Sequence, residues 1–375
     1  MPLGLYIHVP FCRTRCHFCA FYLHIHREDK AQAFVEALLC EMRLHALRNS
    51  LEGRRIETLY FGGGTPTTLS PDQLCRIVEQ GRRCFGLADH AEISLEAHPD
   101  SVTEETLQRL VQAGFNRISF GMQSSDETEL VQVGRPSSAA QIGRAVSLAR
   151  AAGFSDINLD LIYGLPGQTL DSWTATLDEA LALEPTHLSC YALTVEARTR
   201  LAIDLRRGDR TEPDAELQNA MEDEAASRLT DAGFQRYEIS NYCRPGYACR
   251  HNLLYWQGGD YLGLGPSAQS YLAGCRFGNV EDLDAYRQAL TEDRLPILET
   301  ERLSPEQQRR EAVVFGLRLL DGVVFRVAET GEPDSDWDLR VTRLAERGLI
   351  EERAGRIKLT DLGRRHADSV AVELL

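Results

Sequence analysis

The stretch FCRTRCHFCAF, residues 11–21, holds Cys12, Cys16 and Cys19 in the spacing C-x3-C-x2-C. Thiols this close in one short loop point to metal or redox chemistry, because the ten cysteines of a chain with no sign of secretion do not form a disulfide framework. A structural zinc ion takes four ligands, usually as two separated pairs, and this loop supplies three. An iron–sulfur cubane held by three thiolates keeps one iron free to bind and activate a further ligand. Spacing alone leaves two other readings open: a zinc ion completed by a distant Cys or His, and cysteines that are simply buried. The aromatic Phe18 just before Cys19 and a glycine-rich turn, GGGTP at residues 62–66, favour the open cubane.

The elements that must carry this loop are short apolar runs alternating with stretches of helical period from residue 3 to about 195. Strands are expected at GLYIHV, IETLYFG, EISLEA, NRISFGMQ, INLDLIYG and HLSCYALTV, with helices over 32–47, 71–84, 104–113, 139–152 and 170–183. Six βα units in a row predict a parallel sheet with helices outside. Unusual residues gather at the carboxyl ends of successive strands: the cysteines after the first, GGGTP after the second, Glu96 after the third and Gln123 after the fourth, with Asp160 inside the fifth. Barrel enzymes assemble their sites at that rim, so the fold class expected is α/β, a partial (β/α)6 barrel over residues 1–200. Taken singly, each such residue is an ordinary loop residue; four strands repeating the pattern argue for one convergent site.

Beyond residue 200 the alternation stops. A helix over 214–232 leads into residues 237–272, rich in Gly, Tyr and Asn, which read as a binding loop more than a core. This gives an α+β region over 201–295. Residues 296–375 follow as a third unit, ending in a helix, a strand, a turn at residues 354–355, a second strand and a final helix, a winged-helix-like pattern. Glu346, Glu351, Glu352 and Asp361 balance its arginines, so it lacks the basic face that DNA binding needs.

Bulk composition agrees. With 56 acidic against 41 basic residues the net charge is −15, which excludes nucleic acid or an anionic membrane surface as the main partner. Lys30 and Lys358 are the only lysines, leaving almost no candidate for amine catalysis, while arginines remain for carboxylates and phosphates. The start MPLGLYIHVP lacks the basic region and long apolar run of a secretory signal, and no later run reaches the ~18 apolar residues of a membrane span. A cytoplasmic protein is expected.

The motif C-x3-C-x-aromatic-C after a first strand, with GGGTP after the second, resembles the radical S-adenosylmethionine superfamily. LYIHVPFC, YFGGGTPT, FGMQS, VGR and INLDLIYGLPGQT resemble, within it, the coproporphyrinogen III oxidase-like branch, over nearly the whole chain. The resemblance implies a [4Fe-4S] cluster on Cys12, Cys16 and Cys19, whose open iron chelates the methionine end of S-adenosylmethionine and delivers the electron that cleaves its sulfonium C–S bond. It also implies that Tyr6 lies beside the cluster, that Phe18 packs on adenine, and that Gly63, Gly64 and Thr65 hold the methionine end. Glu96, Gln123, Arg135 and Asp160 would contact ribose, carboxylate or adenine.

That branch contains porphyrinogen dehydrogenases and heme chaperones. The dehydrogenases carry a fourth cysteine, C-x3-C-x2-C-x-C, where this chain has Phe21, and a longer segment before the cysteines. HNLLYW, residues 251–256, is similar to the H-N-x-x-Y-W associated with heme binding in the chaperones. His251 offers an imidazole for iron and Tyr255 and Trp256 flat faces for a macrocycle, with Asn252 between them; Cys243 and Cys249 are lesser candidates as iron ligands. Taken alone, these residues also read as a hydrogen-bonded core histidine and core aromatics. One departure stands at PSAQS, residues 266–270, where Gln269 replaces the histidine usual in the chaperones. The function implied is a heme chaperone that binds the cluster, S-adenosylmethionine and heme and passes heme to acceptor hemoproteins, such as respiratory ones, with a cofactor-dependent homodimer and transient presence at the inner face of the membrane. The alternative is a radical enzyme that decarboxylates, methylates or opens a porphyrin, served by a flavodoxin or ferredoxin. The sequence names no catalytic residue.

Overall fold

The computed structural model describes residues 3–48, 51, 54–135, 137–324, 335–353 and 355–375. Six strands, β1 Leu3–Val9, β2 Ile56–Gly63, β3 Leu87–Ala97, β4 Arg117–Gln123, β5 Asp156–Tyr163 and β6 His187–Ala192, pair in parallel and in chain order. Between them run α1 Glu28–Arg48, α2 Pro71–Phe85, α3 Glu104–Ala113, α4 Ala139–Ala152 and α5 Leu170–Ala182. The two-residue period of a strand sends alternate side chains to opposite faces. One face is apolar and fully buried under the helices: Leu3, Leu5 and Ile7 of β1, Leu59 and Phe61 of β2, Ile118 and Phe120 of β4. The other is polar and faces the barrel interior, as in Tyr6 and His8, Thr58 and Tyr60, Glu92, Ser94 and Glu96, Ser119, Asn158 and Asp160.

Helix ends follow local chemistry. Ser70 with Gln73, and Ser138 with Gln141, form capping boxes at the starts of α2 and α4. Gly114 and Gly153 end α3 and α4 in the left-handed region at φ 104° and 107°, which only glycine adopts without a Cβ penalty. The strands themselves carry the rim residues: Glu96 lies inside β3, and Gly62 and Gly63 inside β2.

Residues 237–272 correct the sequence expectation, because they are not a loop. After α6 Ala215–Asp231 come the edge strands β7 Gln235–Arg236 and β8 Asn241–Cys243, then α7 Arg250–Trp256, β9 Asp260–Leu264, β10 Gln269–Leu272 and β11 Cys275–Asn279. Strand β9 pairs in parallel with β1, so the alternation of the barrel resumes beyond residue 200, and β10 and β11 extend the sheet in antiparallel fashion. The glycines that suggested a loop serve packing: a Cβ on Gly263 of β9 would stand 2.1 Å from the Gln269 carbonyl oxygen. After α8 Leu283–Thr291, β12 Ile297–Arg302 closes that edge. The chain ends with α9 Pro305–Gly316, β13 Val323–Val324, α10 Ser335–Glu346, β14 Ile350–Arg353, β15 Arg356–Leu359 and α11 Ala367–Leu374 around a separate apolar core. Helix, hairpin and final helix match the winged-helix-like expectation; of the expected turn, Ala354 lies outside the described residues.

A buried carboxyl ties the two parts of the sheet together. Glu41 of α1 accepts from the Gly265 amide (2.9 Å), the Asn279 side chain (2.6 Å) and the Tyr286 hydroxyl (2.6 Å). Complete burial raises its pKa from the ordinary 4.5 to about 7. The folded chain therefore holds this proton more tightly than the unfolded one. Its effect on stability is absent below the unfolded value, turns unfavourable as pH rises through the window from about 4.5 to 7, and is constant above it. At about 1.4 kcal/mol per unit, the change is on the order of 3 kcal/mol. Denaturant titrations across this window should show that Glu41→Gln, which cannot ionise, lacks this component of the pH dependence; an unchanged slope would remove Glu41 as its source.

Candidate functional site

The loop after β1 is held open by its own backbone and by the glycine turn of β2. Phe11–Cys12 pairs with His24–Ile25 as a short parallel ribbon. The Gly64 amide donates to the Val9 carbonyl (2.8 Å) and the Thr65 amide to the Phe11 carbonyl (2.7 Å). A Cβ on Gly64 would meet the Phe11 oxygen at 2.5 Å, and Gly63 has φ +106° with the His8 ring against it. These glycines are thus required for the turn to lie on the cysteine loop itself. His8 braces the loop from below: its Nε2 donates to the Tyr22 carbonyl (3.1 Å), which can only accept, leaving Nδ1 to accept from the Tyr6 hydroxyl (3.2 Å).

Cys12, Cys16 and Cys19 are half-buried and unpaired as disulfides. Burial raises the pKa of Cys12 and Cys19, and the neighbouring thiols of the trio add to the rise. Cys12 Sγ lies 3.4 Å from Thr65 Oγ1, and Arg135 Nη1 donates to Cys16 Sγ at 3.7 Å. Among the described residues no three His, Cys, Asp or Glu side chains converge as ligands of a single metal ion. Phe18 packs against Val133, Ile162, Leu165, Leu193 and Leu201.

Inward of the thiols sit the other residues singled out at the rim. Arg135 Nη2 donates to the Gly121 carbonyl (2.7 Å), while its Nε is buried with no partner. Gln123 ends β4 with φ 66°, an uncommon conformation outside glycine. Asp160 accepts from Ser119 Oγ (2.6 Å) and Asn158 Nδ2 (2.8 Å). Glu96 accepts from the Tyr60 hydroxyl (2.9 Å), and burial, reinforced by the nearby Asp160 charge, lifts its pKa to about 8. Two interior carboxyls, and a half-buried guanidinium with one buried donor unused, give the rim a polar chamber able to hold a zwitterion with hydroxyl groups.

The barrel floor is closed by α7. Glu92 of β3 accepts from the Arg250 (2.8 Å) and His251 (3.0 Å) amides and lies 3.6 Å from Cys249 Sγ, capping the helix from across the sheet. His251 is 1% exposed. Its ring stacks on Tyr60 (5.1 Å) and Tyr6 (6.4 Å). Its Nδ1 bonds Thr58 Oγ1 and its Nε2 the Tyr255 hydroxyl, both at 2.8 Å. Burial drives its pKa down to about 3, so it is neutral. Tyr6 therefore belongs to an aromatic stack running from the loop to the floor. Asn252 is half-buried on α7, and Cys243 is buried in β8 on the opposite edge of the sheet.

Beside the barrel, between α7, β9–β11 and α9, lies a cavity of about 460 Å³. Tyr255, Trp256, Tyr261, Tyr271, Phe315 and Phe21 give it aromatic walls, and Tyr6 and His8 form its back. Phe21, in the place of a fourth cysteine, is 64% exposed at its edge. Gln269 lines it too, with Arg276, Gln308 and Glu311 as polar members. The structure thus brings Tyr255, Trp256 and Gln269 into one cavity and leaves His251 behind Tyr255. Sequence reasoning missed Tyr60, Glu92, Ser119, Asn158 and the β9–α9 walls. For the first four the available signal was the polar period of two along β2–β5; of the walls, Tyr261 and Tyr271 fall in the segment read as a binding loop, while Arg276 and Phe315 carry no signal, because distant segments meet there.

The radical SAM superfamily model matches residues 6–180, and the HemN C-terminal domain model matches residues 303–366. The chain is 37% identical to the heme chaperone HemW of Mycobacterium tuberculosis, across 100% of this chain and 95% of that protein. It is 34% identical to the heme chaperone HemW of Bacillus subtilis, across 96% of this chain and 95% of that protein. Its fold is similar to that of coproporphyrinogen III oxidase (HemN) from Escherichia coli, a radical SAM enzyme, with a TM-score of 0.85 and 27% identity over 100% of this chain and 90% of that one. No helix among the described residues is long and apolar enough to cross a membrane. Full-length identity to these relatives, together with the three-thiol rim of a parallel barrel, places the chain in the HemW family of the radical SAM superfamily.

Proposed function

We propose that this protein is a heme chaperone: it binds heme in the aromatic cavity beside the barrel and passes it to an acceptor hemoprotein, while Cys12, Cys16 and Cys19 carry a [4Fe-4S] cluster. The cavity carries this reading. Ligand pockets are commonly 300–1,000 Å³, largely apolar and furnished with a few placed polar groups. Here the apolar part is flat rings, which suit the faces of a macrocycle, and Gln308 and Arg276, the latter paired with Glu311 and Glu301, form the polar edge of the cavity. Tyr255 and Trp256 act as walls, and His251 and Asn252 support them from α7.

The rim residues fit the cofactors of the superfamily. Three half-buried thiols lie on one short loop, and the buried Arg135 Nε lacks a partner that a carboxylate would supply. Gly63, Gly64 and Thr65 would edge the methionine end, and Glu96, Gln123 and Asp160 its ribose and adenine. When bound, the reduced cluster supplies an electron to the sulfonium of S-adenosylmethionine. The chain's own part is to hold that pair against the Tyr6–Tyr60 stack, with His8 fixing the loop. Phe18, packed among aliphatic side chains, stiffens the loop from its outer side.

The competing reading, a radical enzyme acting on a porphyrin, draws on the fold shared with the Escherichia coli oxidase. Anaerobic incubation of the reconstituted protein with S-adenosylmethionine, reductant and either heme or coproporphyrinogen separates the two. Stoichiometric heme binding with the porphyrin mass unchanged is expected, and turnover to a product of altered mass would replace the chaperone reading. Cys16→Ala should lose most reconstituted iron and sulfide by elemental analysis; full retention would dismiss the cluster assignment. Trp256→Ala should weaken heme binding about tenfold, the scale of one lost aromatic contact, with iron and sulfide content unchanged. Unaltered heme affinity in a folded Trp256→Ala protein would move heme out of this cavity.

A further inference from the structure

We infer that the cavity presents no free nitrogen or sulfur ligand to the iron of its heme, so that the iron is left to oxygen donors or solvent and heme is held by its ring faces. This rests on the heme reading above and concerns how that site holds its cargo. Among the described residues lining the cavity, His8 is the one imidazole, and no cysteine or methionine is present. The His8 Nε2 proton is committed to the Tyr22 carbonyl, and the remaining lone pair on Nδ1 accepts from Tyr6.

His251 does not line the cavity. Tyr255 stands between them, edge-on at 4.8 Å, and both imidazole nitrogens are engaged at 2.8 Å. To reach iron, His251 would have to give up a bond to Tyr255 or Thr58, leave its stack on Tyr60 and displace the very ring that forms the wall. Each buried hydrogen bond surrendered leaves a desolvated polar group unpaired. Cys249 is enclosed at the barrel floor beside Glu92, and Cys243 lies on the far edge of the sheet. What remains inside is oxygen: the hydroxyls of Tyr261, Tyr271 and Ser267, the side-chain amides of Gln308 and of Gln269, an exposed residue of β10, and the Glu311 carboxylate, which is already paired with Arg276. An amide or a protonated phenol binds iron weakly, so release requires no strong metal–ligand bond to break, which suits a carrier more than a hemoprotein.

The test uses the full-length protein loaded with ferric heme. Absorption, electron paramagnetic resonance and resonance Raman spectra should show high-spin iron that converts to a low-spin form when imidazole is added. Gln269→His should give the low-spin, nitrogen-ligated spectrum without added imidazole and slow heme loss to an excess heme scavenger at least tenfold. A wild-type spectrum already showing nitrogen or thiolate ligation overturns the inference while leaving heme binding intact, and its loss in His251→Ala or His8→Ala would name the ligand. The wild-type spectrum decides this even where a variant fails to fold. Absence of heme binding altogether would instead take down the heme reading, and this inference with it.

Discussion

The constraint on which this architecture depends is the strict alternation of side chains along six parallel strands, with one face given to a dry apolar core and the other to a polar interior. A barrel interior filled with hydroxyls, carboxyls and imidazoles is tolerated only if those groups satisfy one another. Here they do so in chains: Tyr60 to Glu96, Ser119 and Asn158 to Asp160, and His187 to Asn158 and Tyr237. The helix α7 completes the floor because Glu92 accepts its first two amides and His251 spends both ring nitrogens on neighbours. A motif that in sequence resembles a metal ligand set thus does much of its work as a hydrogen-bonded plug.

The same interior sets the electrostatics. Burial raises Glu96 and lowers His251 and His187, so the chamber resists charge despite a chain with a net charge of −15. Arg135 is a charged member of this site with a donor to spare. It reaches a thiol and a carbonyl but keeps one buried donor unused, and it lies between the thiols and the interior. An anionic group there would settle both the guanidinium and the geometry of the loop.

The cavity arises where the barrel departs from closure. Strand β9 continues the parallel sheet past β1, and β10 and β11 turn outward, so the space beside β1 is walled by a second set of rings and by α9 of the C-terminal part. Tyr6 belongs to the interior stack, His8 is hydrogen-bonded to it, and both also line the cavity. The cysteine loop contributes Phe21 to the edge of the same cavity. The cysteine loop and the cavity thereby share a wall, so a shift of one is felt by the other.

By itself the sequence determined the βα repeat, the clustering of Cys12, Cys16 and Cys19, the rim position of Glu96 and Gln123, and the winged-helix-like end. These rest on local periodicity, spacing and capping, which need only near neighbours. It also contained, unread, the inward positions of Tyr60, Glu92 and Asn158, since a period of two marks them as surely as it marks the apolar face. Only the tertiary structure decided that residues 237–272 are strands and a plug, that Phe18 packs among aliphatic side chains, and that Tyr255, Trp256 and Gln269 meet Phe315 and Arg276 in one cavity. It also decided that His251 faces Thr58 and Tyr255. The reason is that a site built from segments far apart in the chain takes its shape from how the sheet pairs and where it stops, and neither is written in any one segment.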